Sequence, residues 1–254
     1  MYSKVQRTAA EALGTAALVL VGPGTVVATV MLAGKVAPLS GADFLGIAFA
    51  FGLIITALVY SLGKVSGCHI NPTVTFGLAV TRRFPWGELP LYWAAQFAGA
   101  FVGALGIWAI FGASGITLGM GQTHFANTTT YASAAAAELL GTGLVMFAIL
   151  GIVDKRSPSD LAGLVIGGAF VAIIMVTGPI TGGSLNPARA LGPELVSAIG
   201  GGPTYWVQYI PVYVLPGLGG AACAAWLYDF LAHPRIVERP IQEAVTHPDP
   251  FDLP

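Results

Sequence analysis

Charged side chains are scarce in this chain: Asp, Glu, Lys and Arg make up only 9% of its 254 residues. A soluble domain carries about 25% charged residues, so this chain has too little charge to cover a water-facing surface. The net charge is −1, and no basic tract occurs in the sequence. We therefore expect neither a soluble protein nor a nucleic-acid partner.

Cysteine is equally scarce, with two residues, Cys68 and Cys223, both in apolar surroundings. Two such residues do not build a disulfide framework. The sequence also contains no recognisable nucleophile–base pair and no cluster of metal ligands. It therefore predicts no catalytic residues, no metal site and no cofactor, and an enzyme is not expected.

The abundant feature is apolar sequence, which accounts for 55% of the residues. The apolar residues come in blocks of roughly 20, the length that crosses a bilayer core. The class predicted is an all-α membrane protein with a channel domain over residues 1–232 and a cytoplasmic tail over 233–254. Six spans are predicted, at residues 8–32, 44–63, 88–111, 133–153, 161–178 and 205–228.

The basic residues predict how these spans are oriented, because cytoplasmic loops carry an excess of Lys and Arg. With the N-terminus in the cytoplasm, nine basic residues fall on the cytoplasmic side and only Lys35 falls outside. Both termini are therefore predicted to be cytoplasmic in a multi-pass cell-membrane protein. The nine are Lys4, Arg7, Lys64, Arg82, Arg83, Lys155, Arg156, Arg235 and Arg239.

The chain also repeats. "AAEALGTAALVLVG" (residues 9–22) resembles "AAAELLGTGLVMFA" (residues 135–148), and each contains one acid, Glu11 or Glu138. An Asn-Pro motif follows in each half, between its second and third spans. Because three spans make one repeat, the second repeat is inverted in the membrane. Halves at about 5–111 and 133–230 predict a transport architecture with a site at their interface.

The two motifs, "SGCHINPTVTFG" (residues 66–77) and "TGGSLNPARALGP" (residues 181–193), interrupt the apolar sequence. Asn is a favoured helix N-cap and Pro is favoured at the first helical position, so Asn71 and Asn186 each predict a helix start. About ten apolar residues follow Asn71, which span roughly 15 Å, or half a membrane. The second helix is similar and ends near Ile199. Inversion makes the two half-helices meet at their N-termini as a broken seventh span.

The backbone before each asparagine is irregular, and such backbone is tolerated at this depth only in protein or along a watery cavity. Its carbonyls would accept hydrogen bonds, and the two asparagine side chains would donate them. This combination suits a small neutral solute in single file. The predicted pore-loop residues are Gly67, Cys68, His69, Gly182, Gly183 and Ser184.

These motifs resemble those of the major intrinsic protein family, the aquaporins and aquaglyceroporins. The resemblance covers about residues 5–230, and it implies a homotetramer with one pore per subunit. It also implies that Glu11 and Glu138 support the re-entrant loops; a proton-coupling carboxylate is the alternative. One departure is Thr73, which stands where the family usually has alanine.

The resemblance further implies a narrow outer filter formed by Phe51, Ile174, Gly183 and Arg189, in which the arginine helps to exclude cations. The filter residues and their neighbours do not agree on whether the channel prefers water or glycerol. Ile174 stands where strict water channels have histidine, and "GPITGG" resembles the glycerol branch, but Ala190 does not. The chain is thus expected to be a passive channel for water, with glycerol and other small neutral solutes as candidates. A glycerol-preferring facilitator and an ion-coupled transporter are the alternatives.

Overall fold

The computed structural model describes residues 2–34, 39–125 and 128–232. Lys35, Arg235, Arg239 and the predicted tail lie outside the described residues. Within the described ranges the chain is helical and contains no strand. The helices are α1 (Lys4–Leu32), α2 (Gly41–Ser66), α3 (Pro72–Val80), α4 (Leu89–Thr117), α5 (Tyr131–Val153), α6 (Ala162–Thr181), α7 (Pro187–Ile199), α8 (Trp206–Gln208) and α9 (Leu215–Ala232).

The described chain has six helical segments long and apolar enough to cross a membrane, which confirms the predicted fold class. Two of them begin earlier than predicted because a serine caps them. Ser3 and Ser40 each accept a hydrogen bond from the backbone N–H three residues on, and the side chain there bonds back to the serine. Such a capping box satisfies two backbone donors that a helix start leaves free.

Two irregularities within the spans were not predicted. Gly112 interrupts α4 with φ 57° and ψ −142°. The last span begins with α8 and continues as a π-helix at Tyr209–Val214 before α9 starts. Pro211 lies inside this π-helical stretch and lacks a backbone N–H, which explains why regular α-helical bonding is lost there.

Small residues let the helices approach closely within one chain. A Cβ atom on Gly99 would lie 2.1 Å from the carbonyl oxygen of Ala12, so α4 and α1 meet backbone to backbone. A Cβ on Gly167 would lie 2.4 Å from the carbonyl oxygen of Gly52, where α6 meets α2. Gly99-x-x-x-Gly103 and Gly163-x-x-x-Gly167 are spaced for such close helix contact, and the second pair joins the two halves of the chain.

The half-helices α3 and α7 begin at the prolines of the two Asn-Pro motifs, and Asn71 and Asn186 are their N-caps. α3 packs on α9, and α7 packs on α4. The loops before them adopt unusual backbone, with positive φ at Cys68, Ile70 and Leu185. α2 and α6 end just before, at the left-handed C-cap glycines Gly67 and Gly182.

Candidate channel site

The two N-cap asparagines lie together at the centre, where the loops of the two halves meet. Asn71 Nδ2 donates to the carbonyl oxygen of Leu185 at 2.8 Å. Asn186 Nδ2 donates to the carbonyl oxygen of Ile70 at 2.9 Å. Each amide group has two N–H donors, and each side chain uses one of them in this pair of bonds.

Glu11 is fully buried in α1 and holds the first loop through four donors. Its Oε1 accepts from the hydroxyl of Ser66 at 2.7 Å and from the backbone N–H of His69 at 2.9 Å. Its Oε2 accepts from the backbone N–H of Ile70 at 2.6 Å and from Gln96 Nε2 at 2.9 Å. The side chain therefore joins the end of α2, the first loop and α4 through one carboxylate.

Glu138 in α5 has the equivalent contacts in the second half. Its Oε1 accepts from the hydroxyl of Thr181 at 2.6 Å and from the backbone N–H of Ser184 at 2.9 Å. Its Oε2 accepts from the backbone N–H of Leu185 at 2.7 Å. The two acids therefore fix the two loops through corresponding backbone positions.

Sequence reasoning missed the hydroxyl that joins each acid to its loop. Ser66 donates to Glu11 and accepts from the backbone N–H of Cys68 at 3.0 Å. Thr181 donates to Glu138 and accepts from the backbone N–H of Gly183 at 3.2 Å. The signal was present, because Ser and Thr occupy the shared first position of the two motifs.

The side chain of His69 lies in a polar and aromatic cluster. Its Nδ1 is 3.2 Å from the hydroxyl oxygen of Thr75, and its ring packs edge-on against Phe84 with centroids 5.0 Å apart. Gln96 donates to the same Thr75 oxygen at 2.9 Å. Gln96 was also missed, although a lone amide in an apolar span was a visible signal.

Arg189 is the largest of the most deeply buried side chains. Its guanidinium carbon is 5.1 Å from the centroid of the Phe51 ring, and Nη1 donates to the carbonyl oxygen of Gly121 at 3.0 Å. Its Nε is buried and finds no acceptor among the described residues. Gly121 was not predicted, because it lies in the connection between α4 and α5, which has no motif.

The other two predicted filter residues lie on or beside α6. Ile174 is buried and belongs to the same apolar cluster as Phe51. Gly183 has φ +56°, and a Cβ atom there would lie 2.9 Å from the hydroxyl oxygen of Thr177. The space beside Gly183 is thus already partly filled by α6.

A cavity of about 750 Å³ leads to the asparagines from one end of the molecule. Its walls are mostly apolar, with the loop residues Gly67, Cys68 and His69 on one side. Its outer end is charged. The mouth residues are Arg83, Asp154, Lys155 and Arg156.

Two ion pairs lie at this mouth. Arg83 bonds Asp229 of α9 at 2.7 Å, and Arg156 bonds Asp154 at 2.7 Å. The hydroxyl of Tyr228 also donates to Asp154 at 2.9 Å. The hydrogen bonds from Arg156 hold the pKa of Asp154 well below its usual value, so this carboxylate stays ionised.

Comparison with known proteins gives consistent matches. The chain matches the family described as Major intrinsic protein over residues 1–228. It is 43% identical to a probable aquaporin, AqpM, of Archaeoglobus fulgidus over 240 residues, which cover 89% of this chain and 97% of that protein. It is 41% identical to aquaporin AqpM of Methanothermobacter marburgensis over 244 residues, or 91% and 99% of the two chains.

A solved structure also matches. The X-ray structure of the aquaglyceroporin from Plasmodium falciparum superposes with a TM-score of 0.80 at 27% identity. The match covers 91% of this chain and 98% of that one.

Proposed function

The chain belongs to the major intrinsic protein family, and on that premise we propose that it is a passive membrane channel for water that also conducts glycerol, more slowly. The channel domain comprises residues 1–232, with inverted repeats at about 5–111 and 133–230. Similar proteins carry the names aquaporin and aquaglyceroporin, which supports this solute class.

The observation that carries the proposal is the reciprocal pair of asparagine hydrogen bonds at the inner end of the cavity. Each asparagine keeps one N–H for a solute, while the surrounding walls are mostly apolar. A small neutral molecule with an oxygen acceptor can therefore exchange its water partners for two fixed donors. The free-energy cost of dehydrating the solute is therefore small at this point.

Exclusion of ions follows from charge. The N-terminal ends of α3 and α7 meet at the asparagines, and each carries the positive end of a helix dipole. Arg189 adds a full positive charge beside Phe51. Cations find no favourable site along such a path, a form of selectivity for which aquaporin-type pores are a standard example.

The four residues Phe51, Ile174, Gly183 and Arg189 are the proposed outer filter. Ile174 offers an apolar wall in place of a hydrogen-bonding histidine, and Phe51 adds a second one. A carbon backbone can lie along these walls while Arg189 bonds a hydroxyl. With few other donors, each unpaired glycerol hydroxyl costs about 1–3 kcal/mol, so glycerol passes more slowly than water.

The acids Glu11 and Glu138 are proposed to support the loops rather than to couple solute movement to protons. Glu11 accepts four hydrogen bonds and Glu138 accepts three, all from fixed donors of the protein. This occupancy argues against the ion-coupled alternative.

The proposed orientation puts both termini in the cytoplasm, supported by Arg83, Lys155 and Arg156 at one mouth of the cavity. The proposed assembly is a homotetramer, each subunit with its own pore, in a lipid bilayer. Chemical cross-linking of the purified protein tests the assembly, and a single dominant species other than four subunits contradicts it.

Stopped-flow measurement of proteoliposomes tests the function, with water, glycerol and urea as separate solutes. We expect rapid osmotic water flux and glycerol flux above that of empty liposomes. Water permeability equal to that of empty liposomes would refute the channel, and glycerol flux above water flux would favour the glycerol facilitator.

A further inference from the structure

Thr73 lies two residues after Asn71, in the first turn of α3, and is completely buried. Its hydroxyl oxygen is 2.8 Å from Asn71 Oδ1 and 3.3 Å from the carbonyl oxygen of Leu185. The second distance matters because Leu185 is also the acceptor for Asn71 Nδ2. The Thr73 hydroxyl therefore lies beside both partners of the hydrogen bond that joins the two loops, the Asn71 amide group and the Leu185 carbonyl oxygen.

The second half of the chain provides an internal comparison. There, Asn186 Oδ1 accepts from the backbone N–H groups of Ala188 at 3.0 Å and Arg189 at 3.2 Å. In the first half, Asn71 Oδ1 accepts from the backbone N–H of Thr73 at 2.9 Å, and its second donor is the Thr73 hydroxyl. A side chain thus does in α3 what the next backbone N–H does in α7.

The methyl group of Thr73 has a separate contact. A Cβ atom on Gly217 of α9 would lie only 3.0 Å from Thr73 Cγ2, so this glycine makes room for the methyl. With the methyl against α9 and the hydroxyl against Asn71, the side chain has little freedom to rotate. The two groups on Cβ therefore have distinct functions that substitutions can separate.

We propose that Thr73 is a positioning residue for Asn71. Its hydroxyl fixes the plane of the Asn71 amide, so that one of the two hydrogens on Nδ2 is donated to the carbonyl oxygen of Leu185 and the other faces the solute path. This inference rests on the proposed channel function and deepens it. Valine would put a methyl group where the hydroxyl lies, 2.8 Å from Asn71 Oδ1. A carbon that close to an oxygen is unfavourable, since even weak C–H···O contacts keep about 3.3 Å or more.

When the Asn71 amide turns away, a solute at the constriction loses one of its two donors. The barrier to permeation then rises by the contribution of one hydrogen bond, which corresponds to a fall in water permeability of about threefold or more. The temperature dependence of the flux becomes steeper. Once the flux of empty liposomes is subtracted, a loss of folded channels alone lowers the flux without changing this dependence.

The experiment compares Thr73→Val, which keeps the shape, with Thr73→Ser, which keeps the hydroxyl and removes the methyl. Water flux is measured by stopped flow in proteoliposomes of the full chain over a range of temperatures. Flux is normalised to the amount of protein in the vesicles. Thr73→Ala removes both groups and gives α3 the residue that α7 has at Ala188, where a backbone N–H serves the asparagine oxygen; it separates the missing hydroxyl from a misplaced methyl.

We expect the serine variant to retain the temperature dependence of the unsubstituted chain. The valine variant should show lower flux per channel and a steeper dependence, and the alanine variant a smaller change in the same direction, because the backbone N–H of Val74 can approach Asn71 Oδ1 as that of Arg189 approaches Asn186 Oδ1. A valine dependence equal to that of the unsubstituted chain overturns the inference, as does a serine variant as impaired as valine. Failure of the unsubstituted chain to conduct water overturns the proposed function as well, which distinguishes the two failures.

Discussion

The guanidinium group of Arg189 lies against the ring of Phe51, with 5.1 Å between the guanidinium carbon and the ring centroid. A cation within about 6 Å of an aromatic ring is attracted to its face. The hydrogen bond from Nη1 to the carbonyl oxygen of Gly121 fixes the group from another direction. Arg189 is therefore held by α2 and by the α4–α5 connection, and its buried Nε has no acceptor among the described residues.

This fixed charge predicts that the channel conducts water but not protons. A pH-sensitive dye trapped in proteoliposomes should report a proton gradient that decays no faster than in empty liposomes. Replacing Arg189 by Val removes the full charge but leaves the helix dipoles, so the gradient should decay faster. A proton gradient that decays faster in liposomes with the unsubstituted protein than in empty liposomes would contradict the prediction.

The filter residue Ile174 predicts the balance between water and glycerol. Ile174→His adds a hydrogen-bonding group and removes apolar wall, so it should reduce glycerol permeability several-fold more than water permeability. Conservative Ile174→Leu is the matched control and should keep the ratio close to that of the unsubstituted chain. The measurement is the ratio of glycerol permeability to water permeability in stopped flow. An unchanged ratio in the histidine variant contradicts the proposed filter.

The substitution Gly183→Phe narrows the proposed filter directly. It should also strain the backbone. Gly183 has φ +56°, which side chains rarely adopt, and a Cβ atom there would come within 2.9 Å of Thr177 Oγ1. We expect this variant to lose glycerol flux and also to lower the unfolding temperature in detergent. A variant as stable as the unsubstituted chain would contradict the strain expected at this position.

The thiol of Cys68 lines the cavity next to the asparagines, whereas Cys223 is exposed on α9. Soft thiol groups bind soft metals such as mercury, so mercurial compounds should block water flux. Cys68→Ser should abolish the block, and the matched Cys223→Ser should leave it intact. Block that persists in Cys68→Ser but disappears in Cys223→Ser would show that the wrong cysteine was assigned to the pore.

The carboxylate of Glu138 predicts a stability effect. Glu138→Gln replaces one acceptor oxygen by an NH₂ group, which leaves at least one buried donor of the second loop unpaired at a cost of about 1–3 kcal/mol. The unfolding temperature in detergent and the water flux should both fall. Asp160→Asn, an exposed carboxylate in a connection, is the control, and equal effects of the two substitutions would count against a role in loop support.

The sequence alone was sufficient for the features that depend on local signals. Apolar length predicted the six spans to within a few residues at most ends. The Asn-Pro pairs predicted the starts of α3 and α7. The apolar sequence predicted about ten residues after Asn71 and an end near Ile199 for the second helix, and the two helices end at Val80 and Ile199. These features depend on hydrophobicity and helix capping, which act over one or two helical turns and are therefore readable from neighbouring residues.

The tertiary structure alone decided which groups pair at the centre. Asn71 bonds a carbonyl that lies 114 residues away in sequence, and Arg189 bonds one that lies 68 residues away. The contact between the Thr73 methyl group and Gly217 of α9 also joins residues far apart in sequence. A buried polar group must find a partner, but several candidates share the same chemistry. Only the packing of α1, α4, α6 and α9 brings one of them within hydrogen-bonding distance, so the choice is made by the fold rather than by the local sequence.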